Sequence, residues 1–167
     1  LDSCICEPVH ETGGKLSEET VAWMKTQLEE AKKQGVTVIP VSHHNLLDES
    51  TLYPEECTIE NTKEVTALLE TYGVPVYLSG HLHLQRIKKH TSNLNTPGGY
   101  GIREIVTSPL PMAPCQYSIL NWQADGSLSY HTKKVDIAGW AQRYGEEDEN
   151  LLNFDAYADQ FLVDVIS

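Results

Sequence analysis

Gly80-His81-Leu82-His83 follows directly on the apolar run Val74-Pro75-Val76-Tyr77-Leu78-Ser79, and an earlier apolar run, Val36 to Ser42, ends in His43-His44-Asn45. Histidines delivered at the ends of two strand-like runs could do metal chemistry, because neutral imidazole is the commonest nitrogen ligand for zinc, manganese and iron. Residues alternate faces along a strand, so the spacing of His81 and His83 aims both the same way, and Gly80 relieves crowding as the chain leaves the sheet. A lone histidine at a strand end is ordinarily a surface or hydrogen-bonded residue. Three in matching positions turn the reading towards ligands. A helical zinc site would need His-Glu-x-x-His and a structural one Cys-x-x-Cys pairs, and the sequence has neither. Cys4, Cys6, Cys57 and Cys115 lack ligand spacing, and Cys4 and Cys6 are too close for an easy disulfide, so free thiols are expected.

The elements that must position these residues can be read from pattern. A helix is expected from Ser17 to Gln34, with Ser17 as N-cap, Glu18 and Glu19 in its first turn and Gly35 past its end. Val21, Met24, Leu28 and Ala31 form its buried stripe, and Trp23 lies off it, packed under the following loop. Val36 to Ser42, with its β-branched residues, reads as a strand covered on both faces. The polar, acidic stretch from Asn45 to Ile59 reads as a long loop starting at the histidine edge, where loops shape pockets. Asn61-Thr62-Lys63-Glu64 resembles a capping box that opens a helix through Val65, Leu68, Leu69 and Tyr72, ended by Gly73. Strand, helix and strand then make a βαβ unit, right-handed by default.

After His83 the pattern shortens to strands at roughly 84–90, 101–107, 116–122 and 128–135, with turns at Asn95-Thr96-Pro97-Gly98-Gly99 and Ala124-Asp125-Gly126. These are expected to continue the sheet in antiparallel fashion. Beyond Ala138 an acidic helix is expected, carrying Leu151, Phe154, Ala158, Phe161, Leu162 and Val165 on one face. Its simplest role is packing, with docking to another domain or subunit as the alternative.

The chain has 167 residues, 40% of them hydrophobic, which is enough to bury a core. The net charge of -12 argues against nucleic acid as a partner, since phosphate backbones are held by lysine and arginine clusters and Lys88-Lys89 is only a pair. A small phosphate substrate is compatible with that acidity where metal ions supply the positive field. No stretch approaches the roughly eighteen apolar residues needed to span a membrane, so a soluble chain is expected, in the cytoplasm before an extracytoplasmic or membrane-anchored setting. The sequence opens at Leu1-Asp2-Ser3 without methionine or a signal-like segment, and the true N-terminus is expected upstream.

The ordered set Val38-Ile39-Pro40-Val41-Ser42-His43-His44-Asn45 and Ser79-Gly80-His81-Leu82-His83 resembles the later half of the calcineurin-like metallophosphoesterases. Around it the likeness takes in Gly14-Lys15-Leu16-Ser17, Glu104-Ile105-Val106-Thr107-Ser108-Pro109 and Tyr117-Ser118-Ile119-Leu120, and so runs from about Leu1 to Asp136. It implies an α/β (α+β) fold, the C-terminal half of a four-layer α/β/β/α sandwich, with 1–136 the C-terminal part of that domain and 137–167 an added helical extension. It also implies a phosphodiesterase or phosphatase that uses two divalent metal ions, manganese, iron or zinc, about 4 Å apart to activate water and clamp the phosphoryl oxygens.

Matched residue by residue, His43 and His81 would bind one ion and His83 the other. Either member of His43-His44 could be the ligand, with position favouring His43, while His44 and Asn45 could instead touch the substrate or brace the ligands. His10, His90 and His131 have no motif around them. The family's Asp-x-His, Gly-Asp-x-x-Asp and Gly-Asn-His-Asp/Glu are absent from this sequence, and the general acid of many relatives lies in the last of them, so none is assigned here. Three imidazoles without a bridging aspartate cannot hold two ions, so the chain alone is expected to be inactive. It would act on a small phosphoester when joined, covalently or not, to the missing N-terminal half, and alone it would self-associate through open strand edges. The alternative is a non-catalytic metal-binding or interaction module.

Overall fold

The computed structural model describes residues 1–6, 8, 9, 11–48, 55–90 and 101–166. His10, residues 49–54 of the acidic loop and the turn expected at Asn95–Gly99 lie outside the described residues. The chain forms two compact units, Leu1–Val106 and Thr107–Ser167. The boundary read from the sequence at residue 136 falls inside the second unit, where its helices begin.

In the first unit, α1 spans Glu18–Gln34. The Ser17 hydroxyl accepts from the Thr20 amide, Glu18 and Glu19 occupy the first turn, and Gly35 ends the helix in the left-handed region at φ 66°. Met24 and Leu28 are buried, each worth about 1.5–3 kcal/mol of transfer free energy, and Val21 packs partly buried against the same core. Trp23 is 57% exposed, so its expected place beneath a loop is not the one it takes.

Val36–Ser42 is not a strand. It meets β1 (Val76–Ser79) through one parallel bridge, Val41 to Leu78, with Leu78 donating to the Pro40 carbonyl and Ser42 to the Leu78 carbonyl. Pro40 has no N–H to extend a ladder, and Val36 and Val41 are more than half exposed, so the β-branched run is not enclosed on both faces.

Before β1 comes α2 (Thr62–Thr71), which buries Val65 and Leu69. Asn61 does not cap it by side chain. Its amide is used in two bonds to the Leu16 backbone, accepting from N–H and donating to C=O, which ties the entry of α1 to that of α2. Two further strands, β2 (Arg86–Lys89) and β3 (Arg103–Val106), complete a sheet of order β1-β3-β2. In it β3 is parallel to β1, pairing Tyr77 with Glu104 and Ser79 with Val106, and antiparallel to β2. Leu16, Leu46, Ile59, Tyr77 and Ile102 join the core beneath it.

The second unit contains β4 (Gln116–Trp122) and β5 (Leu128–Lys134), an antiparallel hairpin turned at Ala124-Asp125-Gly126. Here the expectation needs correcting, because these strands form their own two-stranded sheet and do not extend the first. The expected single helix is also three: α3 (Ile137–Tyr144), α4 (Glu149–Leu152) and α5 (Phe154–Ile166). The breaks have local causes, a left-handed Gly145 after α3 and an Asp148 side chain that caps α4 by accepting from Asn150 N–H. On α5 Ala158 is fully buried, while Phe161 is 40% exposed. Among the described residues no helix is long and apolar enough to cross a membrane, and all four cysteines are free.

Candidate metal centre

The chain from Pro40 to His44 runs beside the end of β1, and the parallel contact continues past the strand where the Gly80 N–H donates to the His43 carbonyl at 3.0 Å. Backbone pairing therefore sets the two histidine-bearing segments side by side. His81 Nδ1 lies 2.9 Å from His43 Nε2. Two imidazole nitrogens at that separation share one proton, or both lone pairs turn on one cation.

The route by which His81 and His83 reach this place differs from simple strand alternation. β1 stops at Ser79, and the next residues form a γ-turn in which Leu82 N–H donates back to the Gly80 carbonyl at 2.6 Å. His81 and His83 both stand in the left-handed region, at φ 58° and 56°. For a side-chain-bearing residue that conformation is uncommon and strained, and a γ-turn of this hand is the rarer one.

His44 is buried and its ring is engaged at both nitrogens. The Thr12 carbonyl can only accept, so His44 Nε2 donates to it at 3.1 Å. Nδ1 of the neutral ring is then the acceptor for the Ser3 hydroxyl at 2.9 Å. Ser3 Oγ in turn receives the His44 backbone N–H at 3.3 Å. This arrangement leaves His43, and not His44, with a nitrogen turned to His81. Gly14 makes it possible, since a Cβ there would fall 2.3 Å from His44 Cγ.

The imidazoles influence one another. His43 and His81 are both held below the ordinary histidine pKa, first by burial and then by the neighbouring rings, His83 among them in each case. The ring centroids of His44 and His81 are 4.5 Å apart, those of His43 and His81 4.8 Å. Neutral imidazoles are the form that ligates a metal. Among the described residues, however, no group of three or more His, Cys, Asp or Glu side chains is arranged to hold a metal ion, so these residues offer a converging pair and not a full coordination sphere.

Asn45 is fully buried, its side-chain amide donating to Ser79 Oγ at 2.8 Å and to the Gly80 carbonyl at 3.1 Å. Four residues that sequence reasoning passed over complete the surroundings. Tyr77 donates to Ser42 Oγ, which donates to the His44 carbonyl, and Ser79 and Glu104 form a second buried set. Their available signal was a hydroxyl or carboxylate inside an otherwise apolar strand run. In the same unit His90 Nε2 faces Glu70 at 3.5 Å, and within the second unit His131 pairs across the hairpin with Ile119.

Residues 136–167 match the family model for the C-terminal domain of cyclic nucleotide phosphodiesterase. No curated protein matches the chain. Among solved structures, a metallophosphoesterase from Sphaerobacter thermophilus is similar at 15% identity and a TM-score of 0.34, over 86% of this chain and 63% of that one. The chain thus spans less than two thirds of the length of that structure.

Proposed function

We propose that this chain is part of a metal-dependent phosphodiesterase whose preferred substrate class is the cyclic nucleotides. One observation carries the metal reading, the convergence of His43 Nε2 and His81 Nδ1 at 2.9 Å on a backbone strained at His81. The likeness of 136–167 to a C-terminal domain of cyclic nucleotide phosphodiesterase favours phosphodiesters over phosphomonoesters. In this reading His43 and His81 hold one divalent ion, manganese, iron or zinc, and His83 contributes to a second. The remaining ligands come from outside the described residues, in an N-terminal partner half that completes a four-layer sandwich. Bound ions of this kind lower the pKa of water and neutralise charge on the phosphoryl oxygens. The chain's own residues orient the ligands, with His44 and Asn45 bracing the segments that carry them.

The test is hydrolysis of a cyclic nucleotide by the protein with its complete ligand set, over a range of added manganese. His83→Ala should lower turnover by several orders of magnitude and His131→Ala should leave it unchanged. Wild-type turnover in His83→Ala at every manganese concentration would sink the reading. A second reading, a non-catalytic metal-binding module, is favoured by the finding that among the described residues no group of three or more ligands forms around the His43–His81 pair. Tight manganese binding without turnover would select it.

A further inference from the structure

Glu104 is a carboxylate with no accessible surface, in the middle strand of a three-stranded sheet. A charge in that position requires strong hydrogen-bond partners, and donors from both histidine-bearing segments reach it. Oε1 accepts from the Leu46 N–H at 2.7 Å and from the Ser79 hydroxyl at 2.6 Å, while Oε2 accepts from the Leu47 N–H at 2.6 Å. Leu46 and Leu47 lie just beyond His43-His44-Asn45, and Ser79 lies just before Gly80-His81. One carboxylate therefore grips both histidine-bearing segments.

The proton accounting gives the grip a direction. The single proton of Ser79 goes to Glu104, so its oxygen is free to accept from Asn45 Nδ2, whose other proton goes to the Gly80 carbonyl. Gly80 N–H then donates to the His43 carbonyl. The sequence Glu104, Ser79, Asn45, Gly80, His43 is a continuous chain of bonds, each with its donor and acceptor determined.

We infer that Glu104, acting through Ser79 and Asn45, is the positioning residue that sets the separation of the His43 and His81 rings. Its value to metal binding rests on the function proposed above, whereas the ring geometry does not. Replacing Glu104 by glutamine keeps the size but presents an NH₂ group either to the Leu47 N–H or to the Leu46 N–H and the Ser79 hydroxyl together, so the grip on the two segments is weakened.

Long-range proton–nitrogen NMR of the ring nitrogens in the metal-free chain tests this. Wild type should show His43 and His81 each fixed in one tautomer by their shared hydrogen bond. Glu104→Gln should move both towards freely exchanging imidazole. Leu69→Ala, a core truncation in the same unit, should lower stability without moving them. Should Glu104→Gln fail to fold, Ser79→Ala breaks the same chain with the Leu46 and Leu47 bonds intact and should give the same shift. Unchanged ring signals in a folded Glu104→Gln or Ser79→Ala variant would overturn the inference, as would freely exchanging rings in wild type. A manganese titration of wild type, His43→Ala and Glu104→Gln separates the two ideas. Affinity should fall about 10- to 100-fold in Glu104→Gln. No manganese binding by the wild-type protein with its complete ligand set would refute the metal reading, while the ring signals still decide the role of Glu104.

Discussion

Gly14→Ala should be among the most damaging single-methyl additions in this chain, and the reason can be isolated. The new Cβ would stand 2.3 Å from His44 Cγ and 2.5 Å from Nδ1, about 1 Å inside ordinary contact. The backbone cannot retreat easily, because Gly14 bridges both Cys4 and Ile59 and its carbonyl accepts from Glu60 at 2.8 Å. The ring must move, yet it is anchored at both ends, by Ser3 and by the Thr12 carbonyl. Overpacking typically costs about 1–3 kcal/mol and each of the two disrupted hydrogen bonds about 0.5–1.5 kcal/mol, so the expected loss is roughly 2–6 kcal/mol. Urea unfolding of wild type, Gly14→Ala, His44→Ala and the double variant measures it as a cycle. With the ring gone the methyl enters vacated space, and Gly14→Ala should cost less than about 1 kcal/mol in that background. Equal costs in the two backgrounds would refute the argument. Since His44 packs 4.5 Å from His81, the single variant should also perturb the His81 ring signals.

Three other outcomes follow from the same geometry. His43 and His81 are held below the ordinary value near 6.5, so the unfolded chain takes up more protons than the folded one as the pH drops. The stability of the metal-free protein should accordingly be complete above the ordinary histidine range and decline as the pH falls through the lowered folded values. His43→Ala should flatten that decline in urea midpoints taken across the range, and a decline of unchanged slope would count against the mutual influence of the rings. Tyr77→Phe should cost about 1 kcal/mol by calorimetry, since it strips the Ser42 hydroxyl of its donor beneath His44; a neutral result would mean that this bond contributes nothing net. The exposed Val36 and Val41, on the segment beside β1, should make the isolated chain associate with concentration in sedimentation runs, and a monomer at all concentrations would dismiss self-association through this edge.

Helices were legible where capping chemistry was local. Ser17, Glu18, Glu19 and Gly35 mark α1 within a few bonds of where they act, and the hairpin of β4 and β5 is set by a three-residue turn. The Val36–Ser42 run misled because its composition reports strand propensity, whereas strand formation needs a partner for every N–H, and Pro40 has none. The helical tail was legible as helical, but its division at Gly145 and Asn153 yields three short helices where apolar periodicity suggested one. Spacing singled out His43, His81 and His83, and the structure sets His81 Nδ1 against His43 Nε2. Spacing could not tell which of His43 and His44 faces His81, because His44 is held by Ser3 and Thr12, some thirty to forty residues away in sequence. Glu104 was hidden for the same reason, since a carboxylate on a strand reads as solvent-facing until the loop that covers it is known.

The strained backbone at His81 and His83 bears on why these residues are present at all. A left-handed conformation costs a residue with a Cβ roughly 1–2 kcal/mol, and glycine would sit there without strain. Two such residues in one four-residue segment impose a cost that the neighbouring bonds must offset. The Gly80 N–H on the His43 carbonyl, Asn45 on the Gly80 carbonyl and Glu104 on Ser79 are placed to do so. A turn needed only to leave the sheet could be built from glycine or asparagine at lower cost. Holding an imidazole at His81 instead, with one nitrogen against that of His43 and the cationic form disfavoured, is the arrangement that the metal reading proposed above calls for.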